Sequence, residues 1–330
     1  MDEQRRRLLG LSRMRRREFL PLVAAAPLAC SALLNAADHR PEIAFTFDDP
    51  KFDSAAGLTW QQINQRMLQA LDKRGIKATL FVCGKRVDHS EGKQLVAEWD
   101  TAGHVIANHS YSHLFFNGSG GAGSDDANVT LAQFEDDALK NEPLITNDAH
   151  FTRLFRFPFF KEGDTVEKRD GMRAFLRHRG YRIGRATIDA SDWAISSRME
   201  KRAKQNATAD LTHYRDFFLQ HIWERTQFYD SLSRRVVGRS VRHTVLLHHN
   251  SLNALYLDDL IGMFVAKGWK PVDASYAFAD DVYDQQPNIL PAGESLMWAL
   301  AKQSGKFESE LRYPGEDDVY ENPKMDALKL

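Results

Sequence analysis

The stretch Phe45-Thr46-Phe47-Asp48-Asp49-Pro50 closes an apolar run, Ile43-Ala44-Phe45, on two adjacent carboxylates and a proline. Like charges side by side repel, and burying either is costly unless something compensates it. Two readings are open. Asp and Pro are common turn residues, so the pair can simply turn the chain. Alternatively, the acids serve a cation, or a proton-transfer pair, at the carboxyl end of a buried strand. The pair alone does not decide.

Outward from this strand, apolar runs alternate with helical patterns. Strands are expected at 43–47, 77–83, 104–108, 154–157, 181–188, 244–247 and, last, 269–272. Helices are expected at 59–74, ended by Gly75, and at 91–102, stopped by Gly103. Further helices are expected at 131–147, at 165–179 with Asp164 or Thr165 as cap and Gly180 as stop, at 208–237, and at 252–267 before Gly268. Strands alternating with helices argue for a parallel sheet, either a barrel or an open α/β sheet. There is no internal repeat. Residues 117–127 form a Gly/Ser-rich loop, and beyond about 280 the pattern weakens into a Pro-containing tail expected to pack on the outside.

Of 330 residues, 43% are hydrophobic and 27% charged, as in a soluble globular protein. Lys plus Arg (44) balances Asp plus Glu (45), which leaves no nucleic-acid footprint. The amino terminus differs. Seven arginines between Arg5 and Arg17 precede an apolar stretch, Pro21 to Leu34, that is too short and too interrupted by Pro21 and Pro27 to span a bilayer. Small residues follow at Asn35-Ala36-Ala37. This order reads as an export signal, and Arg16-Arg17-Glu18-Phe19-Leu20 resembles the twin-arginine type. An amphipathic surface helix is the alternative. Cys30 follows Pro27-Leu28-Ala29, a poor lipidation box, so a lipoprotein is disfavoured. The expected organisation is an export signal at 1–37, a catalytic domain at 38–280 and a C-terminal extension at 281–330. The mature protein is expected outside the cytoplasm, periplasmic or extracellular, with no stable membrane span. Cys83 is then the lone cysteine, reads as a buried inert thiol, and cannot form an internal disulfide.

Four further strand ends carry unusual polar content. Asn108-His109-Ser110-Tyr111-Ser112-His113 sets two imidazoles four residues apart. On a helical turn both would lie on one face, within reach of one metal. Phe155-Arg156-Phe157-Pro158-Phe159 puts an arginine among aromatics. Ile188-Asp189-Ala190-Ser191-Asp192-Trp193 ends on two acids and a tryptophan, and Val245-Leu246-Leu247-His248-His249-Asn250 on two imidazoles. Each has an ordinary explanation alone. Five such strand ends in one chain are hard to dismiss, because α/β barrels gather catalytic groups at the carboxyl ends of their strands.

In this order the segments resemble the polysaccharide deacetylase family, the NodB-homology domain or carbohydrate esterase family 4. That family shows TFDD, HSxxH or HTxxH, RxPY, DxxDW and LxH. Here stand Thr46-Phe47-Asp48-Asp49, His109-Ser110-Tyr111-Ser112-His113, Arg156-Phe157-Pro158-Phe159, Asp189-Ala190-Ser191-Asp192-Trp193 and Leu246-Leu247-His248. The resemblance covers roughly residues 40–275. Three positions depart from the pattern. Pro50 replaces the usual glycine and removes a backbone donor, Phe159 replaces tyrosine, and His249 stands where many relatives have Asp.

The resemblance implies a distorted (β/α) barrel with fewer than eight strands. It implies a metal-dependent hydrolase that removes acetyl groups from the N-acetylated sugars of a poly- or oligosaccharide. Asp49, His109 and His113 would hold a divalent metal, a donor set suited to Zn²⁺ that also admits Co²⁺, Ni²⁺ or Fe²⁺. Asp48 would be the general base toward a water that the cation acidifies, with its pKa lowered by Arg156. His248 would be the general acid, oriented by Asp192 or, second, by Asp189. The backbone N–H after Pro158, that of Phe159, would face the oxyanion. Trp193 and Leu246 would wall the acetyl pocket. Alternatives are an O-acetyl esterase of the acetyl xylan type, a hydrolase of non-sugar amides, or a glycan-binding barrel without catalysis. The last is expected to lack a ligand, the base or the acid, whereas Asp48, Asp49, His109, His113 and His248 are all present.

Overall fold

Strand β1 (Glu42–Asp48) is buried from Ile43 onward and has a neighbour on each edge. In the computed structural model, which describes residues 40–118, 128–313 and 315–330, it runs parallel to β2 (Thr79–Val82) and to β7 (Arg242–His248). The expected export signal at 1–37 and most of the loop at 117–127 lie outside the described residues. Outward from β2 follow β3 (Val105–Asn108), β4 (Phe151–Phe155) and, after the short β5 (Lys161–Gly163), β6 (Arg182–Ile183). Because β1 is covered on both faces, it reads as a continuous apolar run rather than an alternating one.

The register explains why the polar strand ends meet. Asp48 pairs across the sheet with Phe81 and with His248, Val82 with Asn108, Asn108 with Phe155, and Phe155 with Ile183. One rim of the sheet therefore carries every motif. The chain beyond β6 then closes the sheet on itself. The Gly184 N–H still donates to Phe155 O on β4, but the Thr187 and Ile188 N–H groups donate to Thr244 O on β7, and the Leu246 N–H returns to Ile188 O. Residues 182–188 thus bridge the two outer strands, which makes the expected distorted barrel of fewer than eight strands. β8 (Lys270–Pro271), the last expected strand, pairs only with the start of β1.

Helices wrap the outside. Trp60–Arg74 starts on a capping box, Thr59 with Gln62, ends at Gly75 with φ 63°, and buries Trp60, Ile63, Met67 and Leu71. It packs on Ser251–Ala266. Thr165, not Asp164, caps Val166–His178. Two features differ from expectation. A helix at Asp192–Gln205 was not foreseen. The segment 109–113 is not a helical turn, because Ser110 and His113 both lie in the left-handed region, with φ 60°.

The C-terminal segment is also more structured than a surface tail. β9 (Ala292–Gly293) pairs antiparallel with β5. The helix Leu296–Ser304 packs on Thr212–Val236, and the helix Asp318–Ala327 on Asp192–Gln205. Leu296, Met297, Ala301 and Met325 are fully buried. Among the described residues, no helix is long and apolar enough to cross a membrane.

Candidate metal centre and active site

Asp49 leaves β1 with φ 55°, a conformation that Asp tolerates better than most residues. Its carboxylate meets His113 Nε2 at 3.3 Å. The rings of His109 and His113 lie 5.0 Å apart, and donor atoms of Asp49, His109 and His113 all fall within 4.8 Å of one another. Left-handed turns rather than a helix face bring the two imidazoles together. The loop is held from below: the Ser110 N–H donates to Asn108 Oδ1, the His113 N–H to Ser110 Oγ, and the Tyr111 and Ser112 N–H groups to the Asp137 carboxylate.

The donors are in the state a cation requires. Burial pushes His109 and His113 down to about 4, so both are neutral. His109 Nδ1 lies 2.9 Å from Arg156 O, to which it donates, leaving the Nε2 lone pair free. Burial alone would raise the Asp49 carboxyl, but His113, His109 and Arg86 outweigh it and hold it at about 2. Asp49 Oδ1 is buried and accepts no hydrogen bond, with the Arg86 guanidinium as its ion-pair partner, Nε at 3.2 Å. Two neutral imidazoles and an ionised carboxylate fit a divalent metal.

Asp48 borders this set, its Oδ2 3.6 Å from His109 Nε2, but its closest partner is different. Arg156 Nη1 donates to its Oδ1 at 2.7 Å and to Thr46 Oγ1 at 2.9 Å, while Arg156 Nε donates to Gly184 O. The guanidinium is fully buried and stacks 3.8 Å above the Phe81 ring. Arg156 does pull Asp48 down as expected, but burial is the larger effect and raises it to about 6.

On the other side of the rim, His248 Nδ1 donates to Asp192 Oδ1 at 2.7 Å, and the His248 N–H to Asp192 Oδ2 at 3.0 Å. Burial opposes a charged ring, but Asp192, Asp48 and Asp49 outweigh it and raise His248 to about 9. It is an imidazolium at neutral pH. Asp192 Oδ2 also accepts from Asn250 Nδ2 at 3.0 Å and Asn253 Nδ2 at 2.8 Å. These two asparagines went unassigned in the sequence. The signal was available, because Asn250 caps the helix Ser251–Ala266 and Asn253 stands at its third position. Asp189, the second candidate partner of His248, makes no hydrogen bond to it. Burial, then Glu316 and Glu294, raise its carboxyl to about 8.

Phe159, after Pro158, is half exposed, and its ring meets His113 edge-on at 4.4 Å. Trp193 is exposed on the first turn of its helix, and Leu246 is buried with Phe160 and Ala186. His249 is buried: its Nδ1 accepts the Lys51 N–H at 3.3 Å and its Nε2 lies 3.2 Å from Asn64 Oδ1. Cys83 is buried, which pushes its thiol up to about 12.

A family model described as Polysaccharide deacetylase matches residues 35–175. A curated peptidoglycan-N-acetylglucosamine deacetylase from Bacillus cereus is 24% identical over 156 residues, 47% of each chain. The chain thus spans about half the length of that curated relative. Among solved structures, a CE4 family pseudoenzyme from Bacillus anthracis superposes with TM-score 0.50 and 17% identity, over 73% of this chain and 66% of that one. A family 4 carbohydrate esterase from Streptomyces lividans in complex with acetate gives TM-score 0.44 and 21% identity, over 70% and 91%. At such identities the pseudoenzyme shares the fold alone. The family match, and the motifs that continue it in order as far as His248, make this chain a relative of the polysaccharide deacetylase family.

Proposed function

We propose that this chain is a metal-dependent deacetylase acting on N-acetylated sugars of a poly- or oligosaccharide. The observation that carries the reading is the separation of duties on one rim: Asp49, His109 and His113 converge, while Asp48 pairs with Arg156 and His248 with Asp192. A divalent cation, with Zn²⁺ the best match to the donors, would supply Lewis acidity that makes water a nucleophile near neutral pH.

The chain's own residues do the rest. Arg156 occupies Asp48 Oδ1 and leaves Oδ2 to take the proton of the attacking water. His248, already protonated, gives its proton to the leaving nitrogen as the C–N bond breaks, and Asp192 holds the ring for that transfer. The N–H of Phe159 faces the developing oxyanion, and the exposed Phe159 and Trp193 rings offer apolar faces to sugar rings. The products are acetate and a free amine. An imidazolium acid favours an amide over an ester, because an amine leaves only when protonated. The name of the Bacillus cereus relative favours N-acetylglucosamine as the acetyl carrier. The arginine-rich start and the short apolar run support export by a twin-arginine route.

Purified protein should release acetate from N-acetylglucosamine oligomers or peptidoglycan with Zn²⁺ present and stop after chelation. Preference for acetylated xylan would move the activity to O-deacetylation. No release from any substrate, with metal bound, would leave a glycan-binding barrel.

A further inference from the structure

Phe159 and Phe160 are the sole adjacent non-glycine residues in the left-handed region among those described, with φ 56° and 55°. Aromatic side chains disfavour this conformation, which persists where the surroundings over-determine it. Inside the turn, the Phe160 N–H donates to Phe157 O and the Lys161 N–H to Pro158 O. None of the segment's backbone hydrogen bonds uses the Phe159 N–H.

The remaining restraint comes from far along the chain. The Glu294 N–H donates to Phe160 O at 3.0 Å, and Leu296 N–H to Ala186 O at 2.8 Å. β9 pairs with β5 directly after the turn, Lys161 forms an ion pair with Glu294, and Asn117 joins Ala292 O to the Gly163 N–H. The approach is so close that a Cβ on Gly293, which has φ 134°, would stand 1.8 Å from Phe160 O.

We propose that residues 292–294 are a positioning element of the active site: they clamp the Phe159–Phe160 turn so that the Phe159 N–H stays aimed at the reacting acyl oxygen. This rests on the deacetylase reading. Residues 292–294 bond to the turn and its flanks rather than to Asp49, His109 or His113, so the clamp acts first on the Phe159 N–H; the Phe159 ring, edge-on to His113 at 4.4 Å, is what links the turn to the metal-facing set.

The test compares wild type, G293A, K161E, E294K and the double variant K161E/E294K as full chains with Zn²⁺. Readouts are kcat and KM on an N-acetylglucosamine oligomer, zinc affinity by calorimetry, and backbone hydrogen exchange over 156–163 and 105–113. Loss of an aimed oxyanion donor costs on the order of 10²-fold in kcat, so the single variants should lose about tenfold or more. KM and zinc affinity should hold within about twofold, and exchange should rise over 156–163 only. The double variant should recover kcat and protection, because the ion pair is remade with its charges exchanged. Unchanged exchange, raised exchange with unchanged kcat, or equal loss of zinc affinity and kcat would each overturn the clamp. A wild-type chain that binds zinc but releases no acetate overturns the deacetylase reading, and the positioning role with it. That pattern differs from all the others.

Discussion

At the scale of single residues, two neighbouring carboxylates on the rim are given different partners. Asp49 turns out of the strand in a left-handed conformation toward His113, and Asp48 turns inward to Arg156. Removing one member of a buried pair leaves the other charge unpaired, which costs about 3–5 kcal/mol. Arg156→Met should therefore lower stability by about that much in a denaturant titration, and Arg156→Met with Asp48→Asn should recover part of it. Equal stability of the two would mean that the pair does not hold the rim. Residue types and motif order made Asp48, Asp49, His109, His113, Arg156 and His248 legible in the sequence. The strain was not. Asp49, Ser110, His113, Phe159 and Ser191 all take positive φ, and no local propensity announces a conformation that only the packed surroundings enforce.

At the scale of elements, the alternation of strands and helices was readable because caps and stops coincide with ends of periodicity. Thr59, Thr130 and Thr165 each accept from the backbone of the following turn. The helix Asp192–Gln205 was missed for the opposite reason. Its preceding residue, Ser191, sits in the left-handed region without a side-chain cap, and its buried apolar contacts reduce to Ala194, Ile195 and Met199. It nevertheless delivers Asp192 to His248. Ile195 is fully buried, so Ile195→Ala should cost about 2–5 kcal/mol by chemical denaturation. The exposed Lys204→Ala should stay within about 0.5 kcal/mol. Similar losses from both would show that the helix is not anchored by its inner face.

At the scale of the whole molecule, closure of the sheet by residues 182–188 and completion of the core by the C-terminal helices could not be read from the sequence. Both depend on pairing between segments distant in the chain, Ile188 with Thr244 and Leu246, and Ala292 with Gly163. Buried histidines in this core tie stability to pH. His104 is 1% exposed, and its Nδ1 accepts the Ala78 N–H at 3.0 Å. Burial, with Lys77 and His150, lowers it to about 4 from 6.5. Between those values the unfolded chain binds more protons than the native one, so this group's contribution is present above about 6.5 and is lost as pH falls toward about 4. The loss is at most about 3 kcal/mol. Denaturant titrations at pH 7 and pH 5 should show a smaller decrease for His104→Gln than for wild type. An identical decrease would assign the acid sensitivity to other groups.

The division of labour between the paired acids is tested most directly by zinc calorimetry and acetate release measured together on wild type, Asp48→Asn and His113→Ala. Asp48→Asn should bind zinc as wild type does and lose on the order of 10²–10⁴-fold in turnover, while His113→Ala should lose both binding and turnover. Full turnover in Asp48→Asn, or loss of its zinc, would contradict the assignment of Asp48 as the base and of Asp49 as the metal ligand.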